Sequence, residues 1–333
     1  MLTLPPSHAT PAIKPTKPEI EGESARRSLL PAFLHAYWLR PENAFWMTLR
    51  SLALGNAPRG VPSIDVCCGD GVFSFIDAGG RFHPDFDVFR AVTALEHVTR
   101  SHADMFDAET ENYAPPIDAR PPATISIGTD LKPNLLRKAA ALGFYDRLIR
   151  HDGNTPLPLP DGVFRRTYCN SAYWMTQVDG FLRELRRVTR PDGVVILHVK
   201  LADMRRYTLD RFERVLGGEF LRIIGRGRLD CWSSLASRQT WERRFNDAGL
   251  SIERCDVLAT RTHAHLWDVG LRPIAPLLVR MTSALTPETR AAIKRDWVAL
   301  FLDLLDPITR PDFDAFDKAD EPAELQYVLR PRG

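Results

Sequence analysis

The stretch Ser63–Phe75, SIDVCCGDGVFSF, restricts the fold more than any other part of the chain. A short apolar run that ends in an acid, passes through a turn holding Gly69 and Gly71, and continues as helical text predicts a strand, a tight turn and a helix. Such a turn presents backbone N–H groups and a helix N-terminus at the carboxyl edge of a sheet, where a nucleotide-like ligand can be held. A Gly-x-Gly alone is also compatible with a plain tight turn.

The text that follows repeats the rhythm. Ile125–Thr129, Leu148–Arg150, Arg166–Cys169 and Val194–Val199 read as strands, and Pro133–Leu142 and Val178–Thr189 as the helices between them. A further helix over Gln239–Ala248 and a strand over Ser251–Leu258 complete the series, and Pro191-Asp192-Gly193 reads as a turn. Strands alternating with helices predict an α/β fold, a doubly wound, mostly parallel sheet covered on both faces. Asp130 and Asp152 stand at the ends of the second and third strands, as Asp65 closes the first. A carboxylate at a strand end can accept two hydrogen bonds from vicinal ribose hydroxyls. Any one of these acids could instead be a helix cap or turn residue; the set of three at successive strand ends favours a shared site.

Four segments flank or interrupt this core. Residues 1–28 open with Pro5, Pro6, Pro11, Pro15 and Pro18 and read as a flexible tail. Residues 29–58 read as an N-terminal element of two short helices broken at Pro41, with an aromatic stripe that a buried helix face explains. Residues 59–258 form the sheet domain, interrupted at about 79–123 by an insertion rich in Asp, His, Phe and Pro. Residues 259–333 read as a helical C-terminal cap, on the strength of Ile274–Leu285 and Pro287–Leu305.

Charge and cysteine content narrow the partners. Lys and Arg number 44 against 42 Asp and Glu, so no global basic field recommends nucleic acid or anionic lipid. Arg183, Arg186, Arg187 and Arg190 fit one solvated helix face. No apolar run spans a bilayer and no leader pattern opens the chain, so a cytoplasmic protein with a small-molecule partner and no membrane contact is expected. The five cysteines, Cys67, Cys68, Cys169, Cys231 and Cys255, show no disulfide framework and no zinc spacing. Their thiols are expected reduced.

On these residues the chain resembles the class I S-adenosylmethionine-dependent methyltransferases, over roughly Val61–Leu258. The resemblance implies S-adenosylmethionine as cofactor, Asp65–Gly71 as its glycine motif, Asp130 at the ribose and Asp152 beside adenine. It extends the cofactor set to Asp65, Cys67, Gly69, Asp70, Gly71, Asp130, Leu131, Asp152, Gly153 and Asn170. Asn170, Tyr173 and Trp174 follow the fourth strand, where the family contacts the methionine portion or the acceptor. Two departures stand out. Cys67 occupies a position where glycine is usual, and Phe164-Arg165-Arg166 replaces an acid-led strand. The flanks FLHAYWLRPENAF and LWDVGLRPIAPLL look like those of bacterial methyltransferases of polysaccharide or secondary-metabolite pathways, which implies a small-molecule or sugar acceptor; methylation on oxygen is expected from chemical frequency alone.

Methyl transfer asks little acid–base chemistry of a protein, because the sulfonium is already a good leaving group; a base helps when the acceptor is a hydroxyl. His198, His151 and Tyr173 are the candidates, each histidine also readable as a hydrogen-bonded structural residue. His263 and His265 alternate as if on one strand face, with no third metal ligand in view; no metal is expected. Two other functions remain compatible with the sequence: a catalytically silent cofactor-binding scaffold and an RNA methyltransferase.

Overall fold

The computed structural model describes residues 23–55, 57–92, 105–108, 112–225, 232–310, 313 and 321–332. Two helices lead in, α1 (Glu23–Ala36) and α2 (Pro41–Leu54). Pro41 has no N–H to lose at a first helical turn, so it starts α2 where the sequence reading placed a break. The first helix begins at Glu23, earlier than expected; most of the proline-rich tail, residues 1–22, lies outside the described residues.

The sheet domain then runs β1 (Ser63–Val66), α3 (Val72–Asp77), β2 (Arg81–Phe82), β3 (Ile117–Ala119), β4 (Ile125–Asp130), α4 (Pro133–Ala141), β5 (Tyr145–Arg150) and β6 (Phe164–Cys169). It continues with α5 (Val178–Val188), β7 (Thr189–Lys200), α6 (Glu213–Leu216), α7 (Gly218–Gly225), α8 (Arg238–Asp247) and β8 (Leu250–Thr260). After these come α9 (Arg261–His265), α10 (Ala275–Ser283), α11 (Pro287–Leu305) and β9 (Pro322–Pro331). Seven strands form one sheet in the order β5-β4-β1-β6-β7-β9-β8. All pairs are parallel except those of β9, which runs antiparallel to both β7 and β8. The fold is the expected α/β, doubly wound, mostly parallel sheet with N-terminal helices.

One element overturns an expectation. The end of the segment read as a helical cap, Pro322–Pro331, is a strand inside the sheet, and only the stretch before it carries helices. Its residues are buried on both faces, so no alternation marks it, and Glu324 and Gln326 interrupt the apolar run. Those two polar side chains are paid for internally: Glu324 takes Arg50 and Lys200, and Gln326 takes His198 and Asp256.

Smaller corrections follow the same physics. Pro191-Asp192-Gly193 lies within β7, where Phe164 pairs with Thr189 and Arg166 with Val194, so the chain bulges out rather than turning before the strand. His263 and His265 sit on α9, not on a strand face. Among the described residues no group of three His, Cys, Asp or Glu side chains could hold a metal ion, and no helix is long and apolar enough to cross a membrane.

Two cores sandwich the sheet. Leu182, Leu185, Val195, Leu197, Trp241 and Phe245 belong to one, where α5 and α8 cover one face. The other joins α1 and α2 to α3, to the insertion and to the C-terminal helices through Phe33, Trp38, Phe45, Phe75, Phe89 and Phe301. The insertion is therefore part of the packed structure. Its β2–β3 ribbon and the turn Met105–Asp107 pack beside the sheet domain; 93–104 and 109–111 lie outside the described residues.

Candidate cofactor site

The ends of β1, β4, β5 and β6 meet at one edge of the sheet, and the turn after β1 is their centre. Cys68 N–H donates to the Thr129 carbonyl at 2.8 Å, which sews this turn to β4. Gly69 and Gly71 hold φ of 61° and 76°, left-handed backbone that glycine adopts without penalty. Cys67 holds φ 62°, the one non-glycine residue with positive φ among those described, so the departure from the family motif is kept at a strained backbone position.

The two glycines have different jobs. A Cβ at Gly69 would meet nothing within 4 Å, so this residue leaves its backbone open to a ligand. A Cβ at Gly71 would stand 2.9 Å from the Tyr145 ring, 3.1 Å from Leu142 and 3.3 Å from Ala139. Gly71 is thus a packing glycine that lets α3 approach α4 and β5. Gly71→Ala should lower unfolding free energy by about 2 kcal/mol or more, from backbone strain and overpacking together. Gly69→Ala should cost about 1 kcal/mol of strain and act mainly on ligand affinity. Urea denaturation and ligand titration of both variants check this division; equal stability losses would contradict it.

Asp130 is the hinge of the site. Its Oδ2 accepts the Gly69 N–H at 3.0 Å and its Oδ1 accepts the Lys132 N–H at 2.9 Å. Each oxygen keeps acceptor capacity beyond these bonds, since an ionised carboxylate offers about four lone-pair directions. Leu131, 53% exposed, stands next to it as an apolar rim residue. Asp107 of the insertion pairs with Lys132 at 2.8 Å, which brings the insertion to the same rim.

Asp152 forms an Asx turn, its Oδ1 accepting the Asn154 N–H at 2.9 Å. The neighbouring Gly153 packs so tightly that a Cβ would meet Met175 Sδ at 2.7 Å and Cys67 Sγ at 3.5 Å. The loop after β5 therefore abuts the turn after β1, and Asp130 and Asp152 share one rim. Asn170 follows β6 and accepts the Ser171 hydroxyl at 2.7 Å.

Asp65 has a different role from the one its place in the motif suggested. It is buried, and its Oδ2 accepts the Ser74 hydroxyl at 2.6 Å and the Tyr145 hydroxyl at 2.9 Å. Burial pushes its carboxyl up to about 6. It braces the turn from beneath. Asp70 caps α3 by accepting the Val72 N–H at 3.1 Å, and burial, with the Asp70 carboxylate after it, raises the phenols of Tyr37 and Tyr113. The Cys67 thiol is raised too, first by its hydrogen bond with Cys169 and then by burial, so it stays protonated.

The base candidates are placed as follows. His198 is fully buried, its Nε2 2.9 Å from Gln326 Oε1 and its Nδ1 3.5 Å from the Tyr168 hydroxyl. Burial, aided by Arg50, pushes it down to about 3, which makes it a neutral core histidine. His151 sets Nε2 3.1 Å from the Pro156 carbonyl, which assigns the proton to Nε2. Its Nδ1 is buried with no hydrogen-bond partner among the described residues. Tyr173 is half-buried between Trp174 and Trp232, with the Arg50 guanidinium 5.7 Å and the Lys200 ammonium 5.1 Å from its ring centre. His263 accepts the Thr260 N–H at 3.1 Å and faces the Ile308 carbonyl at 3.1 Å, a capping role.

Sequence reasoning missed the charged cluster beside Tyr173. Lys200, last residue of β7, is buried against Glu324 and lies 4.3 Å from the Trp46 ring centre, 5.5 Å from Trp232 and 5.8 Å from Trp267. Arg50 completes the cluster through Glu324 at 2.7 Å. A charge ending an otherwise apolar strand was the available signal.

Two cavities have walls that include none of Gly69, Asp130, Asp152, Asn170 and Tyr173. One, of about 560 Å³, opens between the insertion, α1 and α11. The other, about 740 Å³, is a polar hollow among residues such as Asp203, Arg206, Arg261 and Glu321.

Residues 110–197 match a family model described as a methyltransferase domain, a span that contains Asp130, Asp152, Asn170 and Tyr173. No curated protein sequence matches the chain. The fold is similar to an S-adenosylmethionine-dependent methyltransferase from Mesorhizobium loti, at 15% identity over 86% of this chain and 96% of that one, TM-score 0.44. It is similar to one from Geobacter sulfurreducens solved with S-adenosyl-L-homocysteine, at 15% identity over 86% and 90%, TM-score 0.40. It is also similar to the [4+2]-cyclase SpnF, at 15% identity over 96% and 98%, TM-score 0.44. The methyltransferase-domain match thus falls on the part of the chain that carries β4 to β7 of the doubly wound sheet.

Proposed function

We propose that the chain transfers the methyl group of S-adenosylmethionine to an oxygen of a small-molecule acceptor. The observation that carries this reading is Asp130, whose carboxylate is fixed by the Gly69 and Lys132 N–H groups at a rim shared with Asp152. In it, Asp130 accepts the ribose hydroxyls, Leu131 lies along the nucleoside, Asp152 and Gly153 border adenine, and Asn170 and the Asp70 turn border the methionine portion. The open space at Gly69 supports the fit, because a ligand can approach the backbone there without displacing a side chain.

The cofactor supplies an electrophilic methyl on a sulfonium. The chain's own contribution is alignment and exclusion of water. Asp65, Tyr145 and Ser74 hold the turn rigid; α1, the insertion and the C-terminal helices enclose the acceptor. His198, buried and neutral, is left out of the chemistry, and Tyr173 stays as the polar group at the carboxyl edge of the sheet. The near balance of charges supports a small acceptor over RNA.

Calorimetric titration with S-adenosylhomocysteine, followed by a tritiated-methyl assay on fractionated cell extract, tests the proposal. Micromolar binding and label in the small-molecule fraction are expected. Label confined to RNA or protein would overturn the acceptor class, and absence of binding would overturn the whole reading.

A further inference from the structure

The insertion is fastened to α4 by more than a surface contact. Lys132 stands at the N-cap of α4, and Asn134 and Lys138 follow within its first two turns. Lys138 is 1% exposed, and its ammonium donates to the Phe106 carbonyl at 2.6 Å and to the Ala108 carbonyl. Burying an ammonium is unfavourable unless hydrogen bonds compensate it, which these carbonyls do. Asn134 Nδ2 donates to the Asp107 carbonyl at 2.9 Å. Three consecutive carbonyls, those of Phe106, Asp107 and Ala108, are therefore held by side chains of one helix. From the other side the Phe106 ring packs 5.9 Å from the ring of Tyr37 on α1, with the Arg40 guanidinium 5.5 Å from its centre. The turn is fixed on both flanks.

What the fixed turn delivers is a carboxylate. Asp107 grips the Lys132 ammonium with both oxygens, at 2.8 and 2.9 Å. The two side chains are 32% and 41% exposed, and an ion pair so open to water contributes little to folding stability. Its consequence lies at Asp130 instead. Lys132 follows Asp130 by two residues and gives Oδ1 its backbone N–H, and a lysine stem is long and flexible enough to carry its ammonium back to an acid at that separation. Once released from Asp107, the ammonium would settle on the Asp130 carboxylate. It would then fill the acceptor directions that the Gly69 and Lys132 N–H groups leave open.

We propose that Asp107 is a positioning residue for the cofactor: it sequesters the Lys132 ammonium and so keeps the Asp130 carboxylate open to ligand hydroxyls. The inference rests on the reading of Asp130 as the ribose acceptor. It gives the insertion a task of its own, because Asp107 lies between β2 and β3, outside the strands and helices of the parallel sheet. Without Asp107, a share of the molecules holds Asp130 closed by its own neighbour, and the apparent affinity falls by that share.

Calorimetric titration of the full chain with S-adenosylhomocysteine is the test. Asp107→Ala is expected to bind about fivefold more weakly than wild type, the effect on an equilibrium of an exposed Lys–Asp pair at the stronger end of its range. Asp107→Asn keeps the side-chain shape and the backbone bond to Asn134 but not the charge, and should lose about as much. Adding Lys132→Met to Asp107→Ala removes the competing ammonium and should recover most of the loss, a rescue that a merely structural role for Asp107 would not give. The urea midpoint of each variant reports that the fold is kept. Affinities within about twofold of wild type for both Asp107 variants, or a double variant as weak as Asp107→Ala, would overturn the positioning role. Asp130→Ala, titrated beside them, keeps the two ideas apart. Lost affinity there together with an unimpaired Asp107→Ala would strike the positioning role alone, whereas retained affinity in Asp130→Ala would strike the ribose reading and the role of Asp107 with it.

Discussion

Replacing Asp130 by alanine is expected to weaken S-adenosylhomocysteine binding by about a hundredfold. Hydrogen bonds to a charged group contribute roughly 1.5–3 kcal/mol each, and in the proposed function the variant removes the acceptor of both ribose hydroxyls. The same substitution takes away the acceptors of the Gly69 and Lys132 N–H groups, so the turn after β1 loosens as the ribose contact is lost. Asp130→Asn separates the two effects: its amide oxygen still serves one backbone N–H, and a loss of only about tenfold is expected. The readout is the calorimetric dissociation constant beside the urea midpoint of each variant. An affinity within twofold of wild type for Asp130→Ala would remove Asp130 from the cofactor site.

The residues proposed for that site stand out in the sequence because strands of the parallel sheet end in punctuation. Asp65, Asp130 and Asp152 close apolar runs, and Gly69 and Gly71 interrupt the text between strand and helix. What the sequence did not separate was facing from bracing. Asp65 and Asp130 read alike as acids at strand ends, yet one is buried under the turn by Ser74 and Tyr145 and the other stands at the rim. Tyr145 lies eighty residues from Asp65, and no local pattern announces that contact.

The last strand was hidden for a related reason. A solvent-facing strand betrays itself by alternation, but β9 is buried on both faces and its polar residues are partnered by others far away in sequence. The same holds for His198, whose position at the end of an apolar strand suggested chemistry while Gln326, on the unrecognised strand beside it, supplies its structural partner. Tyr113 sits in proline-rich text without periodicity, so only the packed insertion shows that it approaches Asp70.

Glu324→Leu is expected to destabilise the fold by about 3–5 kcal/mol, because it strands two buried cations, Arg50 and Lys200, in an aromatic enclosure. The triple variant Arg50→Leu, Lys200→Met, Glu324→Leu should recover much of that loss, since replacing a whole buried ion cluster by apolar residues is often neutral or stabilising. The cluster also sets the acid limb of stability. Arg50 and Lys200 hold Glu324 down to about 2, below the 4.5 of a free glutamate, so its contribution is complete above pH 4.5 and is lost as pH falls through about 2. His198 acts in the same direction: held near 3 in the fold, it lets the unfolded chain take up a proton below about 6.5 that the native state refuses. Asp65 opposes both, because its carboxyl is raised to about 6 and the strain of burying its charge is relieved between pH 6 and 3.8. Urea denaturation from pH 7 to 3 should therefore show a shallow slope down to about pH 4.5 and a steep fall below it. Glu324→Gln should flatten the steep part, since the titrating group is gone. An acid limb identical to wild type in Glu324→Gln would show that the buried carboxylate does not govern it, and unimpaired stability in Glu324→Leu would show that Arg50 and Lys200 find their compensation elsewhere.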